Sequence, residues 1–327
     1  MLSEIEKATK IICMEMYIFL DDTDQDFIGK LKEKSKQGVK VVMVLDALGS
    51  ARLKKESVQS IKEAGIELLF FSHWLRHTHR KILIVDGKTA FVGGVNIGKE
   101  FSAWRDMQIK LEGRMVKSIS ASFAYSYEMA GGHDADILAY RKKALTHRLR
   151  TWFLDHWPSR NIFSLKSHYI KKISRAKKDI LIITPYFTPP KWFVALIDSA
   201  VRRGVKVEII IPQNTDQPLI DRVNYRYMYE LSKIGAHFYL SKEMNHAKAM
   251  LIDRKEGLIG SQNIDFLSFR LNAESGIFFR QKNMVAELSQ IMDQWKKEAD
   301  IFQPEKYKMS LKDYIIFPII KLAYHLL

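Results

Sequence analysis

The sequence predicts an α/β fold: two pseudo-symmetric α/β/α sandwich lobes with a functional site where they meet. Three observations carry that expectation. Short apolar runs alternate with helical stretches, the alternation occurs twice, and one polar pattern recurs at a fixed offset in both halves. A chain of 327 residues with 47% hydrophobic content can bury a sizeable core and divide into two fused lobes.

The first half opens with Met14-Glu15-Met16-Tyr17-Ile18-Phe19, passes through a helical stretch, and reaches Gln37-Gly38-Val39-Lys40-Val41 ahead of the apolar run 42–45. The second half repeats this with Leu181-Ile182-Ile183-Thr184-Pro185-Tyr186-Phe187, a helical stretch, and Arg203-Gly204-Val205-Lys206-Val207. A further helix and strand follow in each, over 57–70 and 225–240, with glycine where a left-handed cap ends a helix. Apolar runs of this length suit buried parallel strands. The segment 117–178 is less regular. The Trp157-Pro158-Ser159 turn signal sets the expected division into lobes 1–157 and 158–303, with an apolar tail at 304–327.

The recurring pattern is His-x-Lys-x4-Asp. It appears as His79, Lys81 and Asp86, and again as His246, Lys248 and Asp253. Downstream, Gly93-Gly94-Val95-Asn96 is matched by Gly260-Ser261-Gln262-Asn263, and every equivalent position is displaced by the same 167 residues. A strand repeats every two residues, so the histidine and lysine of each copy share a face. Small residues at Gly94 and Ser261 let a phosphate approach the backbone closely.

Two imidazoles, two ammonium groups and the carboxamides of Asn96 and Asn263 suit a phosphodiester without a metal or other cofactor. Lysines neutralise nonbridging oxygens, one imidazole attacks phosphorus and the other protonates the departing oxygen. That division of labour calls for opposite protonation states near neutral pH. Asp106 and Glu274, 27 and 28 residues after their own histidines, are the candidates to hold the far ring nitrogens. Asp86 and Asp253 have two readings: a part in catalysis, or a bond to backbone amides that pins the turn. The other histidines, His73, His77, His133, His147, His156, His168, His237 and His325, are read as ordinary core or surface residues.

The formal charge of +15 favours polyanionic partners, nucleic acid or anionic lipid headgroups, and a generally basic solvated surface explains it equally. Cys13, the single cysteine, excludes an intramolecular disulfide and a thiolate metal cage, and its apolar surroundings predict a core residue. The first residues lack the pattern of a secretory signal, and no run of about 18 to 20 apolar residues occurs. A soluble or peripheral protein is expected.

These residues resemble the phospholipase D superfamily over nearly the whole chain, and within it the bacterial cardiolipin synthases. The supporting stretches are Glu15-Met16-Tyr17-Ile18-Phe19-Leu20-Asp21-Asp22, Phe91-Val92-Gly93-Gly94-Val95-Asn96-Ile97-Gly98, Trp104-Arg105-Asp106, Thr184-Pro185-Tyr186-Phe187, Gly260-Ser261-Gln262-Asn263-Ile264-Asp265 and Leu271-Asn272-Ala273-Glu274. The resemblance implies a two-step reaction in which a histidine displaces glycerol from phosphatidylglycerol and a second lipid hydroxyl resolves the phosphatidyl-histidine, giving cardiolipin. It assigns attack to His79 and the acid role to His246. Two departures stand out: the chain lacks the amino-terminal pair of membrane helices of longer members, and His77 stands where arginine is common.

The resemblance also implies anionic phospholipid substrates, no obligatory nucleic acid, and peripheral attachment to the cytoplasmic face of a bacterial membrane. The run Tyr314 to Leu327, broken by Pro318 and Lys321, is too short to span a bilayer and is expected to lie in its interface, with docking on the protein's own core as the alternative. Trp192-Phe193 is either a second membrane contact or a buried helix face. A water-using phospholipase D, a nuclease of the same superfamily and a non-catalytic binding module are the competing functions.

Overall fold

The computed structural model describes residues 1–72, 76–143 and 150–307, with the side chains of 142 and 143 excepted. Two sheets form the frame. In the first, β1 (Ile11–Met16), β2 (Lys40–Asp46) and β3 (Glu67–Phe71) run parallel, while β4 (Lys81–Val85), β5 (Thr89–Gly93) and β6 (Gln108–Glu112) add as antiparallel ribbons, in the order β3-β2-β1-β4-β5-β6. The second sheet repeats that plan and extends it. It contains β7 (Thr151–Trp157), β8 (Ile162–Phe163), β9 (Asp179–Ile183), β10 (Lys206–Pro212), β11 (His237–Ser241), β12 (Ala249–Ile252), β13 (Glu256–Gly260), β14 (Glu274–Phe279) and β15 (Asp300–Ile301), in the order β15-β11-β10-β9-β12-β13-β14-β7-β8.

The central strands are buried along nearly their whole length because helices cover both faces. Helices Phe27–Lys36 and Lys55–Glu63 lie outside the first sheet, and Lys191–Arg202 and Pro218–Ser232 outside the second. Gly38, Gly65, Gly204 and Gly235 follow these helices with φ between 79° and 101°, the left-handed caps expected of them. Between the sheets, helix Arg114–Met129 contributes Val116, Ile119 and Phe123, and helix Lys282–Glu298 contributes Val285 and Leu288. They join Val42 and Ile84 of one sheet to Leu251 and Ile277 of the other in a single apolar cluster. The lobes therefore share a core, and Cys13 lies within it.

The second sheet begins earlier than the Trp157-Pro158 turn: β7 pairs with β14 from Glu274↔His156 to Phe279↔Thr151, so residues 151–157 belong with the second lobe's strands. Phe193 is buried in the outer core of that lobe and Trp192 packs against it. The tail from 308 onward, and with it Tyr314 to Leu327, lies outside the described residues, as do His73, His147 and His325. Among the described residues no helix is long and apolar enough to cross a membrane.

Register delivers the polar motifs to one place. Met16 at the end of β1 pairs with Lys81 at the start of β4, and Ile183 at the end of β9 pairs with Ala249, next to Lys248. Each His-x-Lys therefore sits at the carboxyl-terminal edge of parallel strands, where open α/β sheets hold their ligands.

Candidate active site

Alternation along the extended chain turns His79 and Lys81 to one side and Arg80 to the other. All four motif side chains, His79, Lys81, His246 and Lys248, are buried. The segments carrying the histidines cross between lobes: the His79 amide donates to the Ala273 carbonyl at 2.9 Å, and the His246 amide donates to the Arg105 carbonyl at 2.7 Å. The residues after those carbonyls are Glu274 and Asp106.

This backbone stitching reverses the expected pairing of rings and carboxylates. Nδ1 of His79 lies 3.1 Å from the carboxylate of Glu274, and Nδ1 of His246 lies 2.7 Å from that of Asp106. Each imidazole is held by the opposite lobe, not by the carboxylate that follows it in sequence. With Nδ1 engaged, Nε2 is the nitrogen left for chemistry on both rings.

Gly94 and Ser261 differ for a reason visible in these contacts. A Cβ at Gly94 would stand 2.3 Å from Oδ1 of Asp106, so glycine lets the shorter carboxylate take its place. In the other half the Ser261 hydroxyl donates to Glu274 instead. Asn96 and Asn263 are buried beside the histidines, and their carboxamide oxygens have no hydrogen-bond partner among the described residues. Polar atoms buried without a partner mark a place for a ligand's polar atoms.

Asp86 and Asp253 are not brought into the site. Asp86 accepts the backbone amides of Thr9, Lys10 and Ile11, and Asp253 those of Lys177, Lys178 and Asp179. Both sit at positive φ, 53° and 52°, in the turn after the motif strand. Four apolar residues carry the strand through the core, so its two ends lie on opposite sides of the lobe. The turn-pinning reading holds, and their place among the catalytic residues is corrected.

Electrostatics follow from burying cations together. Burial, and then Lys248, pushes the Lys81 ammonium down to about 7, and burial pushes Lys248 down to about 8 against the pull of Asp106 and Glu274. Burial, then Lys248, lowers His246 to about 4, with Asp106 opposing, and burial also lowers His79 against the pull of Glu274. Burial thus disfavours the charged form of both rings in the protein alone. Glu274 remains an anion: burial opposes its charge, and His79, Lys81 and Ser261 outweigh that.

Several site neighbours lie outside the repeated motif, three of them within the flanking stretches that carry the family resemblance. Tyr17 packs edge-on to His79 at 4.6 Å between ring centroids, with the Lys81 ammonium 4.9 Å from its ring. Trp104 and Tyr186 flank His246 at 5.3 and 6.3 Å. His77, read as ordinary, forms a third imidazole–carboxylate pair: its Nδ1 is 3.2 Å from Asp46, whose hydrogen bond raises its basicity. The alternation that joins His79 to Lys81 also reaches back to His77, and that was the available clue. Arg80, fully buried, bridges Glu15 of β1 and Asp155 of β7 and thus ties the sheets together. Asn96, Asp106 and His246 also line a cavity of about 430 Å³ walled by Phe101, Trp104 and Ile97.

Two α/β lobes that meet at paired His-x-Lys motifs define a protein of the phospholipase D fold. The solved structure of phosphatidylserine synthase from Haemophilus influenzae superposes on 99% of this chain and 90% of its own, with a TM-score of 0.76 at 17% identity. The family model described as "Cardiolipin synthase, PLD-like domain" matches residues 1–125 and 169–296, and the chain belongs to that family. Among curated relatives, the probable cardiolipin synthase YwiE of Bacillus subtilis is 30% identical over 94% of this chain, and the major cardiolipin synthase ClsA of the same organism is 33% identical over 85%. The matches cover 66% and 62% of those relatives, so the chain spans slightly less than two thirds of their length.

Proposed function

We propose that the chain is a phosphatidyltransferase that joins two phosphatidylglycerol molecules into cardiolipin and glycerol. The observation that carries this reading is the crossed pair of imidazole–carboxylate contacts around two buried lysines. Two Nε2 atoms and two ammonium groups in that arrangement suit a single phosphodiester.

In the first step Nε2 of His79 forms a bond to phosphorus, the bond from phosphorus to the glycerol oxygen breaks, and His246 gives that oxygen a proton. In the second step the hydroxyl of another phosphatidylglycerol passes its proton to His246, bonds to phosphorus, and releases His79. Lys81 and Lys248 hold the nonbridging oxygens, and the free carboxamide oxygens of Asn96 and Asn263 accept from substrate hydroxyls. An anionic phosphodiester offsets the two ammonium groups and raises the basicity of His246, so that its ring carries the proton the first step consumes. Asp106 and Glu274 fix the tautomers as positioning residues.

An amphiphilic substrate fits the cavity at His246, whose walls of Phe101, Trp104 and Ile97 suit the glyceryl and acyl portion of a lipid better than a nucleic-acid backbone. The printed names of the two Bacillus subtilis relatives support the same reaction. Attachment to the cytoplasmic face of a bacterial membrane as a peripheral protein is the matching location. The water-using alternative has the same first step and differs only in the acceptor.

Purified protein incubated with phosphatidylglycerol vesicles, followed by lipid chromatography, tests the proposal. Cardiolipin and glycerol are expected. Phosphatidic acid would establish hydrolysis instead, and cleavage of DNA with inert lipid would overturn both.

A further inference from the structure

The parallel strands β2 and β10 each deliver a loop to the rim of the site, and each loop is bonded to the tyrosine beside one histidine. After β2, the Ser50 hydroxyl donates to the Tyr17 carbonyl at 2.9 Å, and a Cβ at Gly49 would stand 2.3 Å from the same oxygen. After β10, the Tyr186 hydroxyl donates to Asp216, and Asn224 accepts from the Phe187 amide and donates to the Pro185 carbonyl. Tyr17 lies against His79 at 4.6 Å and Tyr186 near His246 at 6.3 Å between ring centroids, so each loop adjoins one of the two site histidines.

Each loop region holds out a leucine. Leu48 is 65% exposed, and Leu219, in the first turn of helix Pro218–Ser232, is 61% exposed. Four large hydrophobic side chains are exposed among the described residues, and these two are the ones on elements bonded to the site tyrosines. A single exposed leucine is ordinary, but two on related loops bracketing one mouth point to a common apolar contact.

We propose that this rim is a lipid-docking face: Leu48 and Leu219 enter a bilayer surface on either side of the mouth and set the two histidines against the headgroups. The inference rests on the phosphatidyl-transfer reading for its choice of partner. A substrate whose acyl chains stay in the bilayer reaches a buried histidine only if the mouth itself meets the surface. Acids close to the leucines in sequence have partners within the protein: Asp46 with the Leu48 and Gly49 amides, Asp216 with Tyr186, and Asp221 with the Thr215 amide. Asp22 and Asp24 stand on the neighbouring loop, so the apolar side chains and not rim charge carry the contact.

Sedimentation with phosphatidylglycerol vesicles, of the full chain and of variants, tests the face. Leu48→Ser with Leu219→Ser is expected to lower partitioning roughly tenfold or more, the scale of removing two leucines from an apolar phase. Ile301→Ser, at an equally exposed leucine-sized site in β15, is expected to leave it unchanged. Leu48→Trp is expected to show a blue-shifted tryptophan emission on adding vesicles. Wild-type partitioning in the double variant, an equal loss in Ile301→Ser, or no spectral shift would overturn the proposal. Sedimentation and emission require no turnover, so cardiolipin formation by the same wild-type preparation decides separately whether the transfer reading stands.

Discussion

At the scale of single residues, the decisive feature is that each histidine takes its carboxylate from the other half of the chain. Glu274→Gln is therefore expected to impair the ring that attacks, and Asp106→Asn the ring that protonates, each lowering turnover by about 10²- to 10⁴-fold. Stopped-flow and quench measurements separate them: Glu274→Gln should slow formation of the covalent intermediate with either leaving group, whereas Asp106→Asn should recover with a lipid whose leaving alcohol needs no proton. Alanine at His79 or at His246 should each lower turnover by at least about 10³-fold, and a chelator should leave wild-type turnover unchanged. The motif residues were legible because one spacing rule selects both copies. The crossed partners were not, because sequence distance from His79 favours Asp106 and only the bond from the His79 amide to Ala273 reveals Glu274.

At the scale of elements, the turn after each motif strand is held by an aspartate with three amides on it. Asp86→Ala or Asp253→Ala is expected to cost about 1–3 kcal/mol of stability, read from denaturant midpoints, while activity per folded molecule is kept. Gly94→Ala should behave oppositely, since its new Cβ meets Asp106 at 2.3 Å: a small change in midpoint and a large loss of turnover. The parallel strands and their glycine caps could be read from sequence, since buried strands leave uninterrupted apolar runs such as Ile209-Ile210-Ile211. Helix Arg114–Met129 was hidden because both sheets bury it. Ser120, Ala121, Ser122, Ala124 and Ser126 are all buried there, so small and hydroxyl side chains stand on faces that sequence alone would assign to solvent. Strand β7 went with the wrong lobe for a related reason: its partner β14 follows it by more than a hundred residues, and nothing local announces that pairing.

At the scale of the whole molecule, burial of neutral histidines sets the response to acid. Burial lowers His156 to about 4, His168 to about 3 and His246 to about 4, all below the unfolded value near 6.5. The unfolded chain therefore binds more protons between those limits, so stability is complete above pH 6.5 and is lost as pH falls toward 4. Thermal midpoints should drop by several degrees from pH 7 to pH 5. The two lysines, both lowered by burial and Lys81 also by Lys248, predict a second response: an anion such as inorganic phosphate or vanadate should raise the midpoint, and Lys81→Met with Lys248→Met should abolish that rise.

Every scale converges on one claim, that the two halves bring His79 and His246 to a single phosphorus atom. Quench of the wild-type protein in denaturant at mildly alkaline pH during turnover of phosphatidylglycerol, followed by peptide mass spectrometry without acid, tests it most directly. A phosphatidyl adduct on His79 is predicted, accumulating further when His246 is replaced by glutamine and the donor carries a good leaving group. An adduct on any residue other than these two histidines, or steady turnover with neither histidine ever modified, would contradict it.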